Sequence, residues 1–258
     1  MRKIDIKQEN LRIIQFIQNY LKSAKCDKVV LGLSGGVDSA VVAALASEAL
    51  GCDNVYCVIM PHIAGNQDNV IDAVRYAEAL NVNYEIIDIT PYVDQYFWDN
   101  EQDASRMRRG NFMARMRMCI LFDLSVKYGA LVIGTGNLSE FLTGYSTQFG
   151  DNACAFEPIG HLFKVEVYEL ARELNVRPEI IDKIPTADFW QGQTDEEEMR
   201  INYYSLDEIL YLLYKKTLSI EDVIKKGHLR ADVERAVELY ERSSFKRKMP
   251  PTIEEFEN

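Results

Sequence analysis

The hexapeptide Ser34-Gly35-Gly36-Val37-Asp38-Ser39 constrains this chain more than any other stretch. The apolar run Val29 to Leu33 leads into it and the alanine-rich segment Ala40 to Leu50 leads out. That order predicts a strand, a tight turn and a helix. Paired glycines let the backbone approach a ligand closely and aim its N–H groups at it. The helix that follows presents the positive end of its dipole to the same anion. A phosphate or pyrophosphate suits such a turn, although the same residues also read as an ordinary strand-to-helix connection. The spacing is not that of a Walker A loop, which ends in a Lys-Ser/Thr pair, and it lacks the third glycine of a dinucleotide fingerprint.

The rest of the chain supplies the frame. Leu11, Ile14, Ile17 and Leu21 recur at helical spacing ahead of a first strand at Lys28 to Leu33. Further short apolar runs lie at Val55 to Met60, Tyr84 to Ile89 and Ala130 to Ile133. Helical patterns lie at Asp38 to Leu50, Asp68 to Leu80 and Asn111 to Lys127. Strands alternating with helices predict an α/β fold with a doubly wound, mostly parallel sheet, in which ligands bind at the carboxyl ends of the strands. After Pro158 the pattern turns helical, at Lys164 to Leu174, Leu206 to Tyr214, Ile220 to Lys225 and Ala231 to Arg242. With 258 residues, 47% of them hydrophobic, one domain with a helical C-terminal part is the expectation.

A net charge of −11 argues against a nucleic-acid surface, since neutralising phosphates requires clustered Lys and Arg. No window approaches the roughly 18 apolar residues of a membrane span, and the N-terminal residues lack the apolar core of a signal peptide, so the cytoplasm is the expected compartment. Cys26, Cys52, Cys57, Cys119 and Cys154 are odd in number and show no metal-ligand spacing, so they read as reduced packing residues.

The Ser-Gly-Gly turn resembles the loop of the ATP pyrophosphatase (PP-loop) superfamily. Other segments make the likeness narrower: Gly32-Leu-Ser-Gly-Gly-Val-Asp-Ser39, Gly110-Asn-Phe-Met-Ala-Arg-Met-Arg-Met118, Gly134-Thr-Gly-Asn-Leu-Ser-Glu140, Gly144-Tyr-Ser-Thr-Gln-Phe-Gly-Asp151, Pro158-Ile-Gly160, Pro185-Thr-Ala-Asp-Phe-Trp-Gln-Gly-Gln-Thr-Asp-Glu196 and Lys246-Arg247. In this order, over residues 10 to 251, the chain resembles ammonia-dependent NAD synthetase. The resemblance implies that deamido-NAD is adenylated by ATP at its nicotinate carboxylate, that pyrophosphate leaves, and that ammonia displaces AMP. It also implies a homodimer, for which the helices Leu11 to Leu21 and Asn111 to Lys127 are candidate surfaces.

Carried over residue by residue, the resemblance assigns ATP binding to Gly32, Leu33, Ser34, Gly35, Gly36, Val37, Asp38, Ser39, Thr135, Lys164 and Thr186. Asp38 and Glu140 become magnesium ligands, and Asp38 and Lys164 the catalytic pair. Magnesium takes hard oxygen ligands, often one or two carboxylates with phosphates and water, and a lysine is a compact charge suited to a phosphate oxygen. As isolated residues, Asp38 is equally a helix cap, Glu140 a solvated acid and Lys164 a surface cation. Arg115, Gln148, Ala155, Phe245 and Lys246 fall on positions that hold deamido-NAD, and Thr186 to Glu198 on a loop that folds over the site.

Three of these residues depart from the family pattern. Gln148 replaces a lysine, Ala155 an aspartate and Phe245 a histidine. Two further readings therefore stand beside NAD synthesis: an ATP-dependent amide ligase for another carboxylate, and a nucleotide-binding module without turnover. No N-terminal cysteine nucleophile is present, so ammonia is expected from solution or from a separate glutaminase.

Overall fold

The computed structural model describes residues 2–253. Four strands, β1 (Val29–Gly32), β2 (Val55–Ile59), β3 (Asn83–Ile86) and β4 (Leu131–Val132), form one sheet in the order β3-β2-β1-β4. All three pairings are parallel, with Val29 level with both Val55 and Leu131. The strand order reverses between β1 and β4, the crevice where doubly wound sheets bind ligands. Residues 154 to 156 prolong the sheet beyond β4: Ala155 N donates to Val132 O (2.8 Å) and Gly134 N to Phe156 O (2.8 Å).

Val29, Val30 and Leu31 are all fully buried, so β1 is covered on both faces. Val29 and Leu31 pack with helices α1 (Ile6–Ala24), α2 (Val37–Leu50), α3 (Gln67–Leu80) and α7 (Lys164–Glu173). Val30 and Val58 pack on the opposite face with α4 (Thr90–Asn100) and α5 (Arg106–Tyr128). Helix α2 lies between the sheet and α1, and its Ala40 to Ala46 stretch is buried all round, which explains an apolar sequence with no polar stripe. A third cluster joins α6 (Leu138–Thr143), α9 (Asp195–Met199), α10 (Tyr203–Leu210), α11 (Ile220–Lys225) and α12 (Arg230–Arg242) around Phe163, while α8 (Pro178–Ile181) packs with the first.

Two sequence expectations shift. The buried face of α1 runs through Ile13, Ile17 and Leu21, while Leu11 is 66% exposed. Helix α4 occupies a stretch where the sequence pattern predicts no element. It is rich in Thr, Tyr, Phe and Trp, all modest helix formers, and buries only Val93 and Phe97, so its apolar period is too short to read.

Candidate active site

The turn at residues 34–39 closes on itself before any ligand is considered. Ser34 Oγ accepts from Gly36 N (3.2 Å) and lies 3.0 Å from Ser39 Oγ, and Ser39 Oγ donates to Gly36 O (3.0 Å). Gly35 sits at φ +80°, and a Cβ there would collide with the carbonyl of Asn69, so only glycine fits without displacement. Gly36 caps α2 with no side chain, which leaves the first N–H groups of that helix open to an anion. Lys183 ties the turn to α3: its Nζ donates to Gly35 O (3.3 Å) and Asn69 Oδ1 (2.7 Å) and pairs with Asp72 (2.7 Å).

Three charged side chains from distant parts of the chain meet beside the turn. Asp38, in the first turn of α2, accepts from Lys164 Nζ at 2.5 Å through Oδ2 and from Asn137 Nδ2 at 2.9 Å through Oδ1. Lys164 opens α7 and also lies 3.7 Å from Glu140 on α6. Asn137 caps α6 in a reciprocal box: its Oδ1 accepts from Glu140 N (3.0 Å), and Glu140 Oε2 accepts from Asn137 N (3.2 Å). The lysine side chain is 4% exposed, and its ammonium lies 5.4 Å from the Tyr203 ring centre.

Burial and the neighbouring Asp38 push the Glu140 carboxyl well above the usual range, with Lys164 pulling it back. Burial opposes the charge on Lys164, but Asp38 and Glu140 outweigh it and hold its pKa above the ordinary lysine value. The cluster is therefore a cation held between two acids.

A cavity of about 740 Å³ opens over these groups, within the range of small-molecule sites. Gly32, Leu33, Ser34, Gly36, Val37, Asp38, Ser39, Thr135, Glu140, Lys164, Thr186 and Lys246 all line it. Gly35 belongs to the turn without contributing to the wall. Lys246 Nζ donates to the carbonyls of Gly144 (2.7 Å) and Ser146 (2.5 Å).

The other residues that the resemblance assigns to deamido-NAD, Arg115, Gln148, Ala155 and Phe245, lie off that wall. Arg115 is exposed on α5, and its guanidinium donates to Gln148 O (3.2 and 3.3 Å). Phe245 is 58% exposed. Ala155 is in the sheet extension, where its carbonyl accepts from Tyr20 Oη (2.8 Å).

The stretch from Thr186 to Glu198 contributes Thr186, Asp188, Phe189, Gln193, Asp195 and Glu198 to the cavity lining. Asp188 accepts from Asn66 N (2.9 Å) and Asn69 Nδ2 (2.8 Å), and Phe189 packs so close to Gly110 that a Cβ there would meet its ring.

The structure adds groups that were not singled out from the sequence. Arg117 lines the cavity with its Nε donating to Met60 O (3.0 Å), and burial lowers its pKa to about 10. Asp195, 4% exposed, accepts from Tyr203 Oη (3.0 Å) through Oδ2, while its Oδ1 has no hydrogen-bond partner. Asn137 and Asp195 fall inside quoted motifs, but only the fold shows what they touch.

Residues 10–250 match the family profile described as NAD synthase. The chain belongs to that family. The NH(3)-dependent NAD(+) synthetase of Fusobacterium nucleatum is 44% identical over 252 residues, covering 97% of each chain. Among solved structures, NH3-dependent NAD synthetase from Campylobacter jejuni superposes with a TM-score of 0.83 at 36% identity, over 97% of this chain and all of that one. NMN synthetase from Francisella tularensis superposes at 0.85 with 32% identity, over 97% and 99%. The fold is therefore that of the NAD synthase family.

Proposed function

We propose that the protein joins ammonia to the nicotinate carboxylate of deamido-NAD at the expense of ATP, releasing AMP and pyrophosphate. The observation that carries this reading is the convergence of Asp38, Glu140 and Lys164 on the Ser-Gly-Gly turn in a chain of the NAD synthase family.

A carboxylate is a poor acyl donor because its leaving group is oxide. In the reaction, a carboxylate oxygen attacks the α-phosphorus of ATP and the bond to the bridging oxygen of the β-phosphate breaks. The acyl-adenylate then takes the lone pair of ammonia at its carbonyl carbon, the bond to AMP breaks, and the excess proton on nitrogen passes to solvent. The open N–H groups of Val37 and Asp38 face the departing pyrophosphate, and Lys164 stands ready for a phosphate oxygen once it exchanges Asp38 for the ligand. The Thr186 to Glu198 stretch shields the acyl-adenylate from water.

Magnesium fits the donor set. Asp38 and Glu140 offer hard carboxylate oxygens, and the described residues hold no cluster of three or more acidic, His or Cys side chains that would make an all-protein cage. These two residues would hold the ion, which supplies charge compensation for the triphosphate.

The reading extends to Arg115, Gln148 and Lys246 as acceptor-side residues and to a homodimer, supported by the exposed Met107, Phe122 and Val126 of α5. A cytoplasmic setting suits five free cysteines. No described helix is long and apolar enough to cross a membrane. A second reading, nicotinate mononucleotide as the acceptor, is favoured by the uncharged Gln148, Ala155 and Phe245 together with the likeness to the Francisella tularensis NMN synthetase.

The test is an assay with ATP, magnesium and ammonium, adding deamido-NAD or nicotinate mononucleotide and following pyrophosphate and amide. Robust NAD formation supports the first reading, and preference for the mononucleotide supports the second. Pyrophosphate release with neither acceptor overturns both.

A further inference from the structure

Asp207 is fully buried in the middle of α10, on the face where Tyr203, Leu206 and Leu210 are also buried. A carboxylate in such a place is costly unless its oxygens are hydrogen-bonded. Both are. Oδ1 accepts from Ser139 Oγ at 2.5 Å and Oδ2 from Val165 N at 3.0 Å. Ser139 Oγ in turn accepts from Lys164 N at 2.9 Å. The first two N–H groups of α7 are thus capped from outside their own segment, by a serine 25 residues away and an aspartate 42 residues from Val165. The N-cap residue of α7, Phe163, has no capping oxygen of its own: Glu166 in the first turn accepts from Phe163 N (2.8 Å), and Asp207 brings a second carboxyl group to this helix start from α10.

The two ends that Asp207 joins carry the active-site charges. Ser139 precedes Glu140 on α6, and Lys164 is the first residue of α7. Moving either helix start changes the 3.7 Å separation of Glu140 and Lys164 and the reach of both to Asp38. Packing alone would be served by a leucine at position 207, as its neighbours show.

We infer that Asp207 is a positioning residue for the adenylation step: through Ser139 it fixes the starts of α6 and α7, and with them the placement of Glu140 and Lys164. It touches neither ATP nor acceptor. This inference rests on the proposed function of the cavity, because it assigns Asp207 a role only through that site.

The experiment compares wild type with Asp207→Asn, Ser139→Ala and the double variant, measuring pyrophosphate release with saturating acceptor and the melting temperature of each. Asparagine keeps the shape of the side chain but offers only one acceptor for two donors. Misplacement of a catalytic group by about 1 Å costs on the order of 100-fold, so kcat falls 10- to 100-fold in each single variant. KM for ATP stays within about threefold. Because the residues act as one unit, the double variant is no slower than the worse single variant. Wild-type kcat in both single variants overturns the inference, as does a double variant whose loss is the product of the two single losses. If Asp207→Asn fails to fold, Ser139→Ala alone decides, since it cuts the same chain of contacts with a smaller change: a tenfold or greater fall in kcat upholds the inference, and wild-type kcat overturns it. Absence of pyrophosphate release in the wild type would instead overturn the proposed function.

Discussion

If Asp207 is retained for position and not for stability, its charge should weaken the fold as pH rises. Burial pushes this carboxyl from the ordinary aspartate value of 3.8 up to about 7, opposed by the hydrogen bonds from Ser139 and Val165. In the window between those values the native state holds a proton that the unfolded chain has released. The slope of unfolding free energy against pH is then negative, about 1.36 kcal/mol lost for each pH unit. Across the window the loss reaches about 4 kcal/mol, with no reduction for screening because the side chain is fully buried. For a chain of this size that corresponds to roughly 10 °C in melting temperature.

The perturbation is Asp207→Asn, which cannot ionise. Other buried acids, Glu140 and Asp195 among them, also carry raised pKa values, so the quantity to read is the variant minus the wild type at each pH. Thermal or urea unfolding of both proteins at half-unit steps from pH 4.5 to 8, without metal or nucleotide, supplies it. The difference should move in favour of the variant by most of that 4 kcal/mol, and it should flatten above pH 7.5. At pH 8 the variant should unfold no earlier than the wild type while releasing pyrophosphate at least tenfold more slowly. A difference that stays constant across the range would refute the buried-charge argument, because it would mean that Asp207 titrates alike in the folded and unfolded states.

Asp38→Asn and Glu140→Gln should each slow pyrophosphate release on the order of 100-fold with either acceptor, since each removes a charge from the group facing the phosphates. Steady-state release at saturating ATP and magnesium checks this, and wild-type rates in either variant would remove that carboxylate from the site. Gly35→Ala should lower stability by about 2 kcal/mol or more, because it combines a φ of +80° with a collision at the Asn69 carbonyl. An unchanged urea midpoint would contradict that geometry. Gln148→Lys should lower KM for deamido-NAD about tenfold, the worth of one charge-assisted hydrogen bond at about 1.5 kcal/mol. No gain with the dinucleotide would favour the smaller acceptor.

What the sequence makes legible follows the range of the forces involved. The turn at residues 34–39 reads clearly because its causes are local: two glycines, a preceding apolar run and a following run of alanines. The four strands read from short apolar runs, and their boundaries differ by one residue at most ends and by three at the end of β3, where pairing stops at Ile86 and not at Ile89. Helix α4 does not read because two buried residues make no period. On the acceptor side, the motif holding Gln148 is recognisable, but its side chain lies off the cavity wall, and no local pattern says which way a loop residue faces. Asp207 is the limiting case. In the sequence it is one acid in an otherwise apolar helical stripe, a position that usually means solvent. Its partners are 68 and 42 residues away and become neighbours only after α6, α7 and α10 have packed around Phe163. A buried acid where periodicity requires a hydrophobe is therefore the sequence signal for such a residue, and its meaning depends on which helix starts it is found to cap.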